Sequence, residues 1–308
     1  MKKNLKYILP AGGALLIILV VMLVFLFREE AYRIIQVSNI EGSAEVDREE
    51  IGLLDAYNGM MLQSKDDVEV EKESYLYLKL DEDKYVMMEP ETKFHLEAAG
   101  NSENSKTVIQ LASGAVVNRL DNKLSEEASY EVATPNSTMA IRGTVFRVEV
   151  IPDANGTGTK TLLSVFEGEV ACTPIQPDGV SGEEVVVTRN KGIEIRNQED
   201  GTVSVEELDN IDYGNLDKEV LEFILTSIEE KGKDGFAPET EDTVRTLLEE
   251  PSVYTVTFKY NGNIFATQMV NRGEYAVEPM LQPSPSGVWE FDFSKQVFED
   301  TEINWVAE

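Results

Sequence analysis

The sequence predicts a mainly β protein, and three observations carry that prediction. Short runs of alternating apolar and polar residues, bounded by polar turns, recur between residues 32 and 205, the period-two pattern of strands with one buried face. Three glycines interrupt such runs in the same way, in Ile40-Glu41-Gly42-Ser43-Ala44, Ala112-Ser113-Gly114-Ala115-Val116 and Phe166-Glu167-Gly168-Glu169-Val170, as at a bulge or a close backbone approach. The period departs from two in only two places, an uncharged apolar run at 8–27 and a helical spacing after Asn215. The expected order is an N-terminal apolar helix, an all-β sandwich or solenoid-like domain, a short helical connector and a small β module.

Residues 8–27 carry no charge and are mostly Leu, Ile and Val. At about 1.5 Å per residue such a helix spans about 30 Å of hydrocarbon, so a transmembrane helix is expected. Lys2, Lys3 and Lys6 precede it, while Arg28, Glu29, Glu30 and Arg33 follow. The positive-inside rule then places residues 1–7 in the cytoplasm and the rest outside. A cleaved signal peptide has a shorter apolar region with a small-x-small exit, whereas this run ends in Phe25-Leu26-Phe27-Arg28.

Within 28–208, strands are expected at Tyr75–Leu80, 85–88, 92–96, 107–111, 192–195 and 203–205. The segment from Asp153 to Gly158 superficially resembles a calcium loop, but its twelfth position is Ser164, where a bidentate Glu is required. An Asn155-Gly156 hairpin turn accounts for it better. From Asn215, the residues Leu216, Val220, Phe223, Ile224 and Ile228 fall on one helical face that ends near Gly232. A second helix, starting at Pro238 or Thr240, carries Val244, Leu247 and Leu248 and stops before Pro251. These helices make 209–251 a connector whose stripes pack on a neighbouring domain.

The chain has 27 basic and 57 acidic residues, a net charge of −30. That excludes nucleic acid as a partner, because phosphate binding needs clustered Lys and Arg, and it disfavours other polyanions. One cysteine, Cys172, and one histidine, His95, leave no intramolecular disulfide and no multi-Cys or multi-His zinc pattern. Cys172 shares a strand face with Val170 and is expected in the core, and His95 alternates with apolar neighbours as a strand residue. Neither a nucleophile elbow nor a phosphate loop is present. No enzyme activity, cofactor or metal site is expected.

The most informative stretch is 132–150, VATPNSTMAIRGTVFRVEV. Phe146, Val148 and Val150 alternate with Val145, Arg147 and Glu149, and Pro135 and Gly143 fix the corner before them. The residues Thr134, Pro135, Arg142, Gly143, Thr144, Phe146 and Val148, then Glu167, Gly168 and Val170, resemble the signature of the FecR family of extracytoplasmic domains. Gly114, the run Tyr77-Leu78-Lys79-Leu80, Pro90 and Thr92 extend the resemblance over about 31–208. It implies an extracytoplasmic β domain at 28–208 whose signature residues are structural. Family members of this type can pair with a sigma factor inside the cell and a receptor outside. Arg142, charged within the apolar run 139–146, is expected to hold a carboxylate partner, so that Arg142→Ala lowers the melting temperature.

At the C-terminus, a strand at 254–258 turns at Asn261-Gly262 and leads to Trp289, Phe291, Phe293, Val297, Asp300, Ile303 and Trp305. This segment, 252–308, resembles the internalin-type B repeat of bacterial surface proteins, which implies a β-grasp-like module. The leading functional expectation is a membrane-anchored, extracytoplasmic, non-catalytic binding module of the bacterial cell envelope, with a protein or envelope polysaccharide as partner. The alternatives are a transmembrane signalling regulator working through a membrane partner, since 1–7 is too short for a cytoplasmic domain, and a cell-wall or carbohydrate-binding surface protein.

Overall fold

The computed structural model describes residues 33–306 apart from 50, 102–103, 154–157, 199–201, 252 and 285. Alternating residues build two sheets that share one long strand. Sheet A runs, in spatial order, β1 (Ile35–Glu41), β5 (Tyr75–Leu80), β6 (Lys84–Met88), the second half of β8 (Lys106–Leu120), β11 (Val145–Pro152), β12 (Thr159–Glu167), β15 (Lys191–Asn197) and β16 (Val203–Leu208). Sheet B runs β3 (Gly52–Asp55), β2 (Ala44–Arg48), β4 (Asp67–Val70), β7 (Lys93–Ala99), the first half of β8, β9 (Ser129–Thr134), β10 (Ser137–Ile141), β13 (Glu169–Pro174) and β14 (Val185–Thr188). Neighbours are antiparallel except the β8–β9 pair. The inner faces meet in one core, where Val37, Leu78, Val86, Phe146, Val148 and Leu163 of sheet A pack with Val46, Val68, Phe94, Ile109, Val132 and Cys172 of sheet B.

The three recurrent glycines are where the chain passes between sheets. Gly42 joins β1 to β2, Gly114 divides β8, and Gly168 joins β12 to β13, with φ of +79°, +82° and +81°. Each packs against a hydroxyl residue from another crossing, namely Ser74, Thr92 and Thr144. Those three follow residues that are also left-handed, Glu73 at +53°, Glu91 at +58° and Gly143 at +111°. At two corners the hydroxyl also holds the strand after the glycine: Ser43 N donates to Ser74 Oγ, and Ala115 N donates to Thr92 Oγ1, each at 3.0 Å. A Cβ on Gly114 would overlap Thr92 Cα itself, and one on Gly168 would lie 2.7 Å from Thr144 Cγ2.

The central strands of sheet A are buried on both sides where the helices pack. Their outward residues Met87, Val117, Val145 and Phe166 meet Val220, Leu221, Ile224 and Ile228 of α1 (Lys218–Lys231) and Val244 of α2 (Thr240–Glu249). Lys231 at the end of α1 donates to Leu120 O at 2.6 Å and pairs with Glu167 at 3.0 Å, which places a cation at the negative helix terminus. The helices thus cover these central strands. The C-terminal residues form a separate mixed sheet, ordered β18 (Asn263–Asn271), β17 (Val253–Tyr260), β20 (Thr301–Val306), β19 (Val288–Trp289), with β17 and β20 parallel. Its core includes Phe258, Trp289 and Trp305, with Trp289 edge-on to each of the other two at 5.1 Å, a favoured aromatic geometry.

The mainly β expectation agrees with this architecture, but the membrane-spanning part of the expected fold class does not stand. The helix expected over 8–27 lies outside the described residues, and among the described residues no helix is long and apolar enough to cross a membrane. The two described α-helices, α1 and α2, have 14 and 10 residues and keep charged faces such as Glu219, Glu222, Glu241 and Asp242. Of the sandwich and solenoid alternatives the structure is a sandwich, because strands remote in sequence pair across it. Among the described residues the C-terminal sheet carries no helix. The Asn155-Gly156 turn lies outside the described residues; β11 and β12, which flank it, pair antiparallel.

The corners predict a graded effect of added methyl groups. Gly114→Ala combines left-handed strain of about 1–2 kcal/mol with overpacking of about 1–3 kcal/mol. At Gly179 φ is +81° and no atom lies within 4 Å of an added Cβ, so Gly179→Ala carries the strain alone. Urea unfolding of the two variants is expected to show Gly114→Ala the less stable by more than about 1 kcal/mol.

Candidate functional site

With the central strands of sheet A covered by α1 and α2, the outer face of sheet B is the broader strand surface left open. The pairing registers place one continuous row across eight strands of it: Leu53, Asp47, Asp67, His95, Gln110, Ala133, Thr138 and Thr173. A second row carries Asp55, Glu45, Glu69 and Lys93. Both rows set acid directly opposite acid, Asp47 against Asp67 and Glu45 against Glu69, and only then reach a basic group. His95 Nδ1 lies 2.8 Å from Asp67 Oδ1, and Lys93 Nζ lies 2.6 Å from Glu69 Oε1.

A groove of 590 Å³ follows these rows and ends at Ala133, Thr134 and Pro135; a second, of 1450 Å³, adjoins it through Asp47, Asp67 and His95 and reaches Glu126, Glu127 and Glu131. Among the described residues no ion pair involves Glu45, Asp47 or Glu131. Like charges directly opposite on a sheet are destabilising. Chemically, the face offers uncompensated carboxylates at the β2–β4 side and small side chains, Ala112, Ala133, Ala140 and Ala171, at the β8–β13 side. Such a surface attracts cationic side chains and accommodates an extended chain.

The structure draws three of the signature residues, Gly143, Thr144 and Gly168, into one sheet-crossing corner. Phe146 is fully buried in the sandwich core. Thr134 belongs to the tight turn between β9 and β10, where its Oγ1 lies 2.8 Å from Ser137 Oγ, and Pro135 at the same turn is exposed and borders the groove. Arg142 is exposed, and among the described residues it forms no ion pair. The expected carboxylate partner belongs instead to Arg147, whose guanidinium grips Glu89 with two bonds of 2.6 and 2.7 Å and Glu149 with one of 2.7 Å. Burial pushes the Glu89 carboxyl up against the pull of Arg147.

Two further groups were not singled out from the sequence. Asn136, fully buried, sends its amide to Thr159 O at 3.0 Å and Ile195 O at 3.2 Å, tying the β9–β10 turn of sheet B to sheet A. Its place between Pro135 and Ser137 was the available signal. Arg48 clasps the buried Asp66 through bonds of 2.8 and 2.6 Å, a pairing that local pattern does not disclose. A cleft of 930 Å³ floored by Arg147 and Glu89 runs between sheet A, α1 and Arg272. Arg147 and Arg272 are paired, with Glu89 and Glu250 respectively, which makes the cleft a weaker candidate than the open face. Cys172 is buried, and burial pushes its thiol up to about 12.

Residues 66–171, about a third of the chain, match the family model described as FecR protein. A FecR domain is therefore present there, and it contains every signature residue named above. No curated protein matches the chain. Among solved structures, two crystal structures of a provisionally assigned anti-sigma factor from Parabacteroides distasonis align with TM-scores of 0.38, at 11% and 12% identity. The alignments cover 79% and 64% of this chain and 99% and 96% of those chains. Likeness at that level fixes neither fold nor function. The B-repeat resemblance of 252–308 gains no support from these comparisons.

The two arginines separate cleanly. Arg147→Ala, which strands the buried Glu89, is expected to lower stability by about 3–5 kcal/mol, and the exposed Arg142→Ala to change it by less than about 0.5 kcal/mol; thermal unfolding checks both. Cys172 gives a pH-dependent test. Between the ordinary thiol value and about 12, the unfolded chain loses the proton that the folded chain keeps, so this thiol's contribution to stability falls as pH rises through that window. At pH 8 a thiol reagent is expected to label Cys172 only after denaturant is added.

Proposed function

We propose that this protein is a signalling regulator of the FecR type that acts through contact with a protein partner and catalyses no reaction itself. The observation that supports this reading best is the FecR match at 66–171, which takes in β4, β7, β8, β9 and β10, the central strands of the open face. It favours signalling over display on a surface for its own sake, and binding is then the means by which the signal passes. The partner surface on this reading is the open face of sheet B, and the partner segment is basic and extended. A neutral polysaccharide would leave the opposed carboxylates of β2 and β4 unused, so the carbohydrate reading is less well supported. Placement of the domain outside the cytoplasm is part of the same proposal and rests on the resemblance to extracytoplasmic domains.

The double variant Asp47→Lys, Glu131→Lys changes two carboxylates without an ion-pair partner among the described residues and is expected to leave unfolding stability within about 0.5 kcal/mol. In cells, where whole-transcriptome sequencing after deletion of the gene identifies the responsive promoters, this variant is expected to reproduce most of the deletion's effect. A response indistinguishable from that of the unaltered chain would count against the face.

A further inference from the structure

The C-terminal sheet leaves one edge open. β18 pairs with β17 on one side, and among the described residues the only backbone bond reaching it from outside that pairing is Glu274 N to Asn271 O at its end. Exposed strand edges are normally blunted by Lys, Pro, charge or a bulge. β18 has no charge and no proline in its nine residues, Asn263-Ile264-Phe265-Ala266-Thr267-Gln268-Met269-Val270-Asn271, although the chain carries a net charge of −30. Its one such device is a register shift against Phe258 and Lys259. Large apolar side chains stand in solvent along it, Ile264 at 67% and Met269 at 68% exposure, and the segment that follows adds Val277, Met280 and Leu281. That segment is held to the strand by Val277 N donating to Gln268 Oε1 at 3.0 Å.

Read outward from Thr267, the strand offers nearly the same chemistry in both directions: Ala and Gln, then Phe and Met, then Ile and Val, then Asn and Asn. A strand with that symmetry is complementary to itself in antiparallel pairing about a two-fold axis, the commonest symmetry of homo-oligomers. We infer that β18 is a homodimer seam, on which the β18 strand of a second copy of this chain docks antiparallel with Thr267 opposite Thr267. A basic partner strand would find nothing to pair with on an uncharged edge. Another copy sets Phe265 opposite Met269, Ile264 opposite Val270 and Asn263 opposite Asn271, with Ala266 opposite the Gln268 amide and no charge against charge. The seam is a single nine-residue strand, short beside the interfaces of roughly 1,000 Å² or more that hold stable dimers, so a weak dimer is expected. The bodies of the two acidic copies repel while the seam does not, so salt strengthens the association.

The single buried cysteine makes a direct test available. In the full chain, Thr267→Cys adds one exposed thiol beside the shielded Cys172, and copper–phenanthroline oxidation is expected to trap a disulfide-linked dimer. The yield should exceed that of Asn261→Cys, at the exposed hairpin tip, by at least about fivefold, and should rise between low and high salt. Adding Met269→Lys, which sets lysines along the seam at an exposed position, is expected to return the yield to the Asn261→Cys level. Equal yields from the two cysteine positions, a yield that falls with salt, or linkage only to a different protein would each overturn the seam.

Discussion

The contact on which the rest of this structure depends is the packing of a left-handed glycine against a serine or threonine from another sheet crossing. It occurs three times, at Gly42 with Ser74, Gly114 with Thr92 and Gly168 with Thr144. Without a Cβ at the glycine, backbone from one crossing can rest directly on side chain or backbone from the other. That approach lets β8 serve both sheets and fixes how the inner faces meet. It also gives the Arg-Gly-Thr stretch a physical meaning: Gly143 supplies the left-handed turn, Thr144 supplies the methyl that meets Gly168, and Phe146 two residues on enters the core.

Once the sheets are fixed, their outer faces have different fates. The stripes of α1 and α2 remove Met87, Val117, Val145 and Phe166 from water, and burial of such side chains stabilises by roughly 1.5–3 kcal/mol each. Sheet B receives no such cover, and its outer rows hold acid opposite acid. A sheet selected for stability alone would place a cation between the opposed acids; here each row reaches a basic side chain only one strand later, His95 in one and Lys93 in the other. The arrangement sacrifices some stability to hold a field of carboxylates beside a strip of small residues; the FecR match takes in Asp67, Glu69 and Glu131 of that field, while Glu45 and Asp47 of β2 precede it.

Much of the fold was legible in the sequence and the site was legible only in pieces. Alternation located the strands because one face of each is buried, and the apolar spacing of Val220, Ile224 and Ile228 located α1. The three glycine runs were recognised as bulges or close approaches, but that they are sheet crossings follows from Ser74, Thr92 and Thr144, whose separation from their partners no local pattern encodes. Arg142 drew attention because its neighbours are apolar; yet it sits at the turn and is exposed, while Arg147, which reads as the polar half of an alternating strand, is the half-buried arginine that grips Glu89. The difference arises because the central strands of sheet A are covered on their outer side too, and that cover comes from helices about seventy residues away. The face of sheet B was invisible for the same reason, since its rows cross eight strands drawn from 53 to 173.

The central claim is that a partner occupies the open face of sheet B when the protein is at work. Carbodiimide footprinting of surface carboxylates, read by mass spectrometry on the purified chain and on the chain in intact cells, addresses it without the partner being known in advance. The account predicts that Glu45, Asp47, Asp67 and Glu131 are modified readily in the purified protein and protected in cells, while exposed carboxylates elsewhere, such as Glu222 on α1, are modified alike in both. Equal modification of the sheet B carboxylates in the two settings would contradict it.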